Sequence, residues 1–276
     1  MRIGFIGLGE MGRHIAHDLV EGHHEVTLYD ISSSALDRFA TSGAHLARSL
    51  SEVAAASEVI GICVVDDEQV REVIAGSSGL LNGPIEPGTV LMVHSTVHPD
   101  TIRDLAVQTT AEGGHLIDAS LTAGPMGKTH VDRLVMVGAD PEVYSRCAEA
   151  LAAIGTPILV GPPGTACTVK LLNNLLTTAT IGTAEAVLRI GEGIGLERRV
   201  LERVFLLGSA TSNPLSIMVR RRDRSPHRLK MLSKDVTLAA DHLNALGGDL
   251  GGIDSMAELG LAAIEADVAV ETPSVV

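Results

Sequence analysis

The stretch "RIGFIGLGEMGRHIAHDLVEG" constrains this chain more than any other. An apolar run suited to a buried strand passes directly into Gly7-Leu8-Gly9-Glu10-Met11-Gly12, then into a helical pattern that closes on Gly22. Glycines at G-x-G-x-x-G spacing say little alone. Between a strand and a helix they say more. Gly7 permits a tight turn, Gly9 lets the backbone approach a pyrophosphate, and Gly12 lets the helix pack closely on the strand. The helix N-terminus then offers unpaired N–H groups to an anion. "EVTLYD" reads as the next strand and ends on Asp30, 18 residues beyond Gly12. A carboxylate there is placed to accept hydrogen bonds from an adenosine ribose. A glycine turn without a ligand is the alternative, and Asp30 weighs against it.

The rest of the first half repeats the alternation. "VIGICVV", "TVLMVHS", "HLIDAS", "RLVMVGA" and "PILVG" read as strands. "SSSALDRFATSG", "SLSEVAAAS", "DEQVREVIAG", "PDTIRDLAVQTTAEGG" and "PEVYSRCAEALAAIG" read as helices. Apolar strands separated by helices predict a mainly parallel sheet covered on both faces. After Gly161 the strand patterns stop and long helical patterns follow. We therefore expect an α/β chain: a Rossmann-type doubly wound unit over 1–162 and an all-helical unit over 163–276, divided near "GPPG". The 45% apolar content supports a sizeable core, and with 2% aromatics that core must be aliphatic.

A formal charge of −13 argues against nucleic acid or an anionic membrane as the main partner. The basic run "RRRDRSPHRLK", Arg220 to Lys230, reads either as a solvated helix end or as a cluster near an anionic ligand. Cys63, Cys147 and Cys167 give neither a disulfide framework nor a zinc motif. His14 and His17 lack a third ligand in the pattern, so no metal is expected. The N-terminus enters a strand directly, and the charge-free stretch Leu171 to Ala184 is shorter than the roughly 20 residues a span needs. A cytoplasmic protein is expected.

Five motifs in order carry a family resemblance. "GFIGLGEMG", "VHSTVHPDT", "DASLTAGPMG", "GTACTVKLLNN" and "SKDVTLAA" together resemble the β-hydroxyacid dehydrogenases, which include 3-hydroxyisobutyrate dehydrogenases and tartronate semialdehyde reductases. The resemblance covers nearly the whole chain. It implies a helical C-terminal domain like that of 6-phosphogluconate dehydrogenase and hydride transfer between NAD(P) and a small 3-hydroxy acid. It also implies a homodimer or tetramer. On the matching positions it assigns Gly7 to Gly12, Asp30, Val64, Val65, Ser95, Thr96 and Lys234 to the cofactor. It assigns Thr122, Ala123, Gly124, Asn173 and Asn174 to the substrate, and Lys170 to catalysis.

The residue chemistry agrees. Lys170 and Asn174 are four apart on a helical pattern and share a face. Lys170 can carry the hydroxyl proton while Asn174 clamps the substrate. A free lysine has a pKa of about 10.4, and burial with Lys234 nearby would favour the neutral amine. Cys167 reads as a small buried residue. Asp30 with no basic residue before Arg38 predicts NAD over NADP.

The departures are specific. Thr122-Ala123-Gly124 replaces the family's Ser-Gly-Gly, and Ala166 replaces a glycine. His227 lies near a position that is often aromatic, and Lys128, His130 and Arg133 stand where small residues are usual. A substrate other than 3-hydroxyisobutyrate is therefore open. So are an imine reductase-like activity, against which Lys170 counts, and a catalytically silent dinucleotide-binding module.

Overall fold

The computed structural model describes residues 1–123, 132–220 and 226–271. The chain divides into two compact units, Met1–Lys170 and Leu171–Val276.

The first unit opens with β1 (Arg2–Ile6), α1 (Gly12–Glu21), β2 (Glu25–Tyr29), α2 (Ser33–Asp37), β3 (His45–Leu46) and α3 (Leu50–Ala56). It continues with β4 (Val59–Ile62), α4 (Asp67–Ala75), β5 (Val90–Val93), α5 (Pro99–Ala111) and β6 (His115–Ala123). Then come β7 (Arg133–Gly138), α6 (Pro141–Arg146), α7 (Ala148–Ile154), β8 (Thr156–Gly161) and the start of α8 (Thr165–Gly193). Among the described residues the strands form one eight-stranded sheet in the order β3-β2-β1-β4-β5-β6-β7-β8. Every neighbouring pair is parallel except β6 and β7. The step from Ala123 to Arg133 is shorter than the roughly dozen residues a parallel crossover needs, so β7 returns antiparallel.

Alternation along each strand builds two cores. Ile3 and Phe5 of β1 pack with Ile15 and Leu19 of α1 and with Leu151 of α7. Ile6 packs on the other face with Val53, Val70, Ile74 and Ile102. β4 and β5 are buried at every position, as strands covered on both faces must be. The strand order reverses between β1 and β4. Ligands of such sheets lie outside the carboxyl ends of the strands at that reversal.

Two expected elements differ. The helix over "SSSALDRFATSG" is limited to Ser33–Asp37, because polar side chains and Gly43 give it no buried face. "PEVYSRCAEALAAIG" forms two helices rather than one, broken at Cys147, whose backbone leaves the helical region at φ −94°, ψ 0°. The expected break near Gly161 to Gly164 marks the change from β8 to α8. Compactness divides the chain further along, inside α8, because the first turn of α8 is bonded to β6.

The second unit holds the remainder of α8, then α9 (Arg198–Leu207), α10 (Asn213–Val219), α11 (Pro226–Ala245) and α12 (Ile253–Glu271). It has no strand among the described residues. Its buried apolar cluster is small: Leu171, Leu175, Ala179, Val236, Ala239 and Ala257. Among the described residues no helix is long and apolar enough to cross a membrane.

Candidate functional site

In the first unit the glycine loop follows β1 at the sheet's reversal point. Gly7 has φ +92°, and a methyl group there would sit 2.2 Å from the Cys63 carbonyl just past β4. A methyl on Gly12 would lie 1.9 Å from the Gly7 carbonyl, so the first turn of α1 closes directly on the loop. Gly9 differs: a methyl there would meet nothing within 4 Å. The space in front of the loop is open where a ligand's phosphates would approach. The N-terminus of α1 has no side-chain cap and no acidic residue in its first turn, which leaves its field to an external anion.

Asp30 is built into this loop. Leu8 N–H donates to its Oδ2 at 2.6 Å, and Ser32 N–H donates to its Oδ1 at 2.8 Å. Each oxygen keeps a further lone pair for a hydroxyl donor. Across the reversal point Ser95 is buried, and its hydroxyl is committed to one residue. It donates to the Val64 carbonyl at 2.8 Å and accepts from Val64 N–H at 2.9 Å. Ser95 thus joins the loop after β5 to the loop after β4. Val65 beside it is exposed and Thr96 is half-buried.

Thr122 and Ala123 end β6 opposite Leu134 and Arg133. Gly124, Lys128 and His130 lie outside the described residues, as do the side chains of Ala123 and His227 and most of the basic run after Arg220. Lys170 is half-buried on α8. The first turn of this helix is fixed by the residue that opens "DASLTAGPMG", to which the resemblance assigns no role. Asp118 in β6 is fully buried, and its Oδ1 and Oδ2 accept from Gly164 N–H at 2.8 Å and Cys167 N–H at 2.7 Å. Burial pushes its carboxyl above the ordinary value, against the pull of those N–H groups. A single acid in the otherwise apolar "HLIDAS" was the available signal, since a buried carboxylate demands donors.

Arg133, one of the departures from the family pattern, forms a largely buried ion pair with Asp18 of α1. His17, Asp18 and Glu21 bring ligand atoms within 4.8 Å of one another, but Asp18 already serves Arg133. The cysteines are buried or half-buried. Burial raises the Cys63 thiol to about 12 and the Cys147 thiol to about 11, and it pushes Cys167 upward as well. None is primed as a nucleophile.

In the second unit Asn174 is buried and engaged on both ends of its amide. Its Nδ2 donates to Asp235 Oδ2 of α11 at 2.6 Å, and its Oδ1 accepts from Asn173 Nδ2 at 3.1 Å. Lys234 Nζ lies 3.8 Å from Asp235 Oδ1. The Lys-Asp motif therefore tethers α8 to α11. Asn174 has one amide hydrogen and one lone pair beyond these bonds.

Residues 2–169 match the family model described as the NAD binding domain of 6-phosphogluconate dehydrogenase. An uncharacterised oxidoreductase of Mycobacterium tuberculosis is 30% identical over 285 residues, covering 99% of this chain and 95% of the relative. A solved 3-hydroxyisobutyrate dehydrogenase from Salmonella typhimurium superposes with a TM-score of 0.82 at 24% identity, covering 97% of this chain and 98% of its own. Psf3 in complex with NADP+ and 2-OPP superposes at 0.79 with 24% identity, covering 96% of this chain and 93% of its own.

Proposed function

The chain belongs to the β-hydroxyacid dehydrogenase family of NAD-binding oxidoreductases. From that premise we propose that it moves a hydride between NAD and the hydroxyl carbon of a small 3-hydroxy acid, with Lys170 carrying the hydroxyl proton. The observation that carries this reading is the open front of Gly9 beside an uncapped helix N-terminus and a loop-bound Asp30. These residues fit a dinucleotide. N–H groups from Gly9 to Gly12 would hold the pyrophosphate and Asp30 the adenosine ribose, while Leu8, Glu10 and Met11 shape the loop between them. Val64, Val65, Ser95 and Thr96 would border the nicotinamide end, and family likeness adds Lys234.

When bound, NAD supplies the hydride acceptor. The chain's own residues supply the rest. Lys170 Nζ takes the hydroxyl proton during oxidation and returns it during reduction. The backbone and hydroxyl of Thr122, with Ala123 and Gly124, hold the substrate carboxylate. Asn173 and Asn174 hold the hydroxyl-bearing end in reacting pose. NAD is preferred over NADP because Asp30 is a carboxylate with no cation before Arg38, and a 2′-phosphate there would meet like charge. The chain also assembles with copies of itself. Leu172, Leu176, Val187 and Ile190 on α8, with Ile194 just past its end, leave an apolar stripe exposed.

The test is NAD(P)H formation across a panel of small hydroxy acids, with kcat/KM compared for the two cofactors. Turnover of a 3-hydroxy acid with higher kcat/KM on NAD supports the reading. Dinucleotide binding without turnover on any hydroxy acid would make the chain a binding module instead. A higher kcat/KM with NADP would remove the role given to Asp30.

A further inference from the structure

We propose that Asp118 is a positioning residue, which fastens the helix bearing Lys170 to the strand that carries Thr122 and Ala123. This rests on the reading of Lys170 as proton carrier. The geometry is local to the first unit. Asp118 sits midway along β6, four residues before Thr122, and its side chain is fully buried. Its two oxygens reach amides three residues apart, Gly164 N–H just before α8 at 2.8 Å and Cys167 N–H in its first turn at 2.7 Å. One carboxylate therefore fixes both the approach to the helix and the turn immediately before Lys170. Ser120 on the same strand adds a weak contact from its Oγ to Cys167 Sγ at 3.9 Å.

The surroundings are shaped for this acid. A methyl group on Gly138 of the neighbouring strand would sit 2.2 Å from Asp118 Oδ1, so any larger residue there would displace the carboxylate. Gly164 has φ +91°, a left-handed backbone that turns its N–H toward β6. Burying a carboxylate is costly, and a lone serine or threonine could cap a helix more cheaply. A single hydroxyl oxygen cannot span two separated amides as the two carboxylate oxygens do. The helix N-terminal field also favours the anion. The cost is offset by rigidity at the one turn that sets Lys170's distance from the end of β6. Proton transfer is steep in that distance.

The test compares Asp118→Asn and Asp118→Ala in the full chain with the parent protein. The readouts are kcat, NADH affinity and amide hydrogen exchange over 164–170. Asp118→Asn keeps one acceptor oxygen and turns an N–H toward the other amide, while Asp118→Ala removes both acceptors. We expect exchange over 164–170 to speed by about tenfold or more, and kcat per folded molecule to fall by about tenfold or more. NADH affinity should change by less than about threefold, because the glycine loop is untouched. If the alanine variant does not fold, the asparagine variant carries the comparison. Ser49→Ala removes the cap of α3, where Ser49 Oγ accepts from Glu52 N–H at 3.2 Å, and should leave kcat unchanged. Faster exchange with an unchanged kcat overturns the proposal, as does unchanged exchange in both variants. If the parent protein turns over no hydroxy acid, it is the reading of Lys170 that fails. The exchange rates then still decide whether Asp118 holds the turn.

Discussion

His94 directly follows β5 and is buried, and its chemistry is set by what surrounds it. Its Nδ1–H donates to the Ala119 carbonyl at 2.8 Å, and its ring stacks on Phe5 with centroids 5.8 Å apart. Burial lowers its pKa from 6.5 to about 4, and the single bond to Ala119 opposes this only in part. The folded state therefore refuses a proton that the unfolded chain accepts. The resulting stability is fully present above about pH 6.5 and is lost as pH falls toward 4; the shift corresponds to about 3 kcal/mol. Urea unfolding at stepped pH should show that loss. In His94→Asn, which keeps a donor for Ala119, the acid limb should be visibly shallower. Lys170 tests the chemistry instead. Lys170→Ala should lower kcat by about 10²–10⁴-fold with NADH affinity within a few fold. Lys170→Arg should not restore it, because a guanidinium cannot give up its proton. Retention of more than about a tenth of parental turnover would make this lysine structural.

The residues legible in the sequence are those whose meaning is local. Gly7, Gly9, Gly12 and Asp30 lie on one strand-loop-helix-strand unit, so their spacing carries their geometry. Arg133, Asp118 and Asp235 were not legible in the same way. Their partners lie 115, 46 to 49, and 61 residues away. In the sequence Arg133 stands out only as a departure from a family pattern. Only the fold reveals that it holds α1 to β7.

At the scale of elements, the strands of the first unit could be read from the sequence because burial on both faces leaves continuous apolar runs. The helix ends were less secure. Cys147 interrupts a pattern that is periodic on both sides of it, and no residue type there announces the break. The contact between α8 and α12 was invisible too, since glycine inside a helical pattern reads as a weakness. Here it is a contact surface. A methyl on Gly182 would lie 1.8 Å from the Met256 carbonyl, and one on Gly260 would lie 2.0 Å from the Thr178 carbonyl. Two helix backbones touch at these points. Alanine normally stabilises a helix interior by about 1 kcal/mol over glycine. At Gly182 that gain is outweighed, because the collision is with backbone, and overpacking costs about 1–3 kcal/mol or more. Gly182→Ala should lower the urea midpoint. Gly193→Ala, at the end of the same helix with nothing within 4 Å, should leave it unchanged or raise it slightly. Equal midpoints for the two variants would mean that α8 and α12 do not approach so closely.

For the whole molecule, charge and apolar surface pull in opposite directions. A net charge of −13 favours dispersal of separate chains. Yet the helical unit has a small buried cluster and leaves large side chains outside it. On α8, Leu176 is 61% exposed and Ile190 66%, with Ile194 just past its end at 74%; on α9, Val204 is 58% and Leu207 78%. Single exposed apolar residues need no explanation, but on α8 they recur at helical spacing over many turns. The acidic groups along this segment do not break the stripe. Glu185 is held by Arg189 and Arg198, whose bonds outweigh its burial and keep its carboxyl below the ordinary range. Charge is thus gathered to one side of the helix while the apolar side stays clear. A second copy of the same chain is the occupant that symmetry favours, since a self-complementary patch closes on itself. Light scattering at micromolar concentration should give a mass of at least two chains. Ile190→Glu together with Ile194→Glu places two carboxylates in the stripe, and burying them unpaired in an interface is strongly disfavoured. That variant should run as a monomer while its NADH affinity is preserved, because the glycine loop belongs to the other unit. A parent protein that is monomeric at that concentration would leave the stripe without the role argued for it.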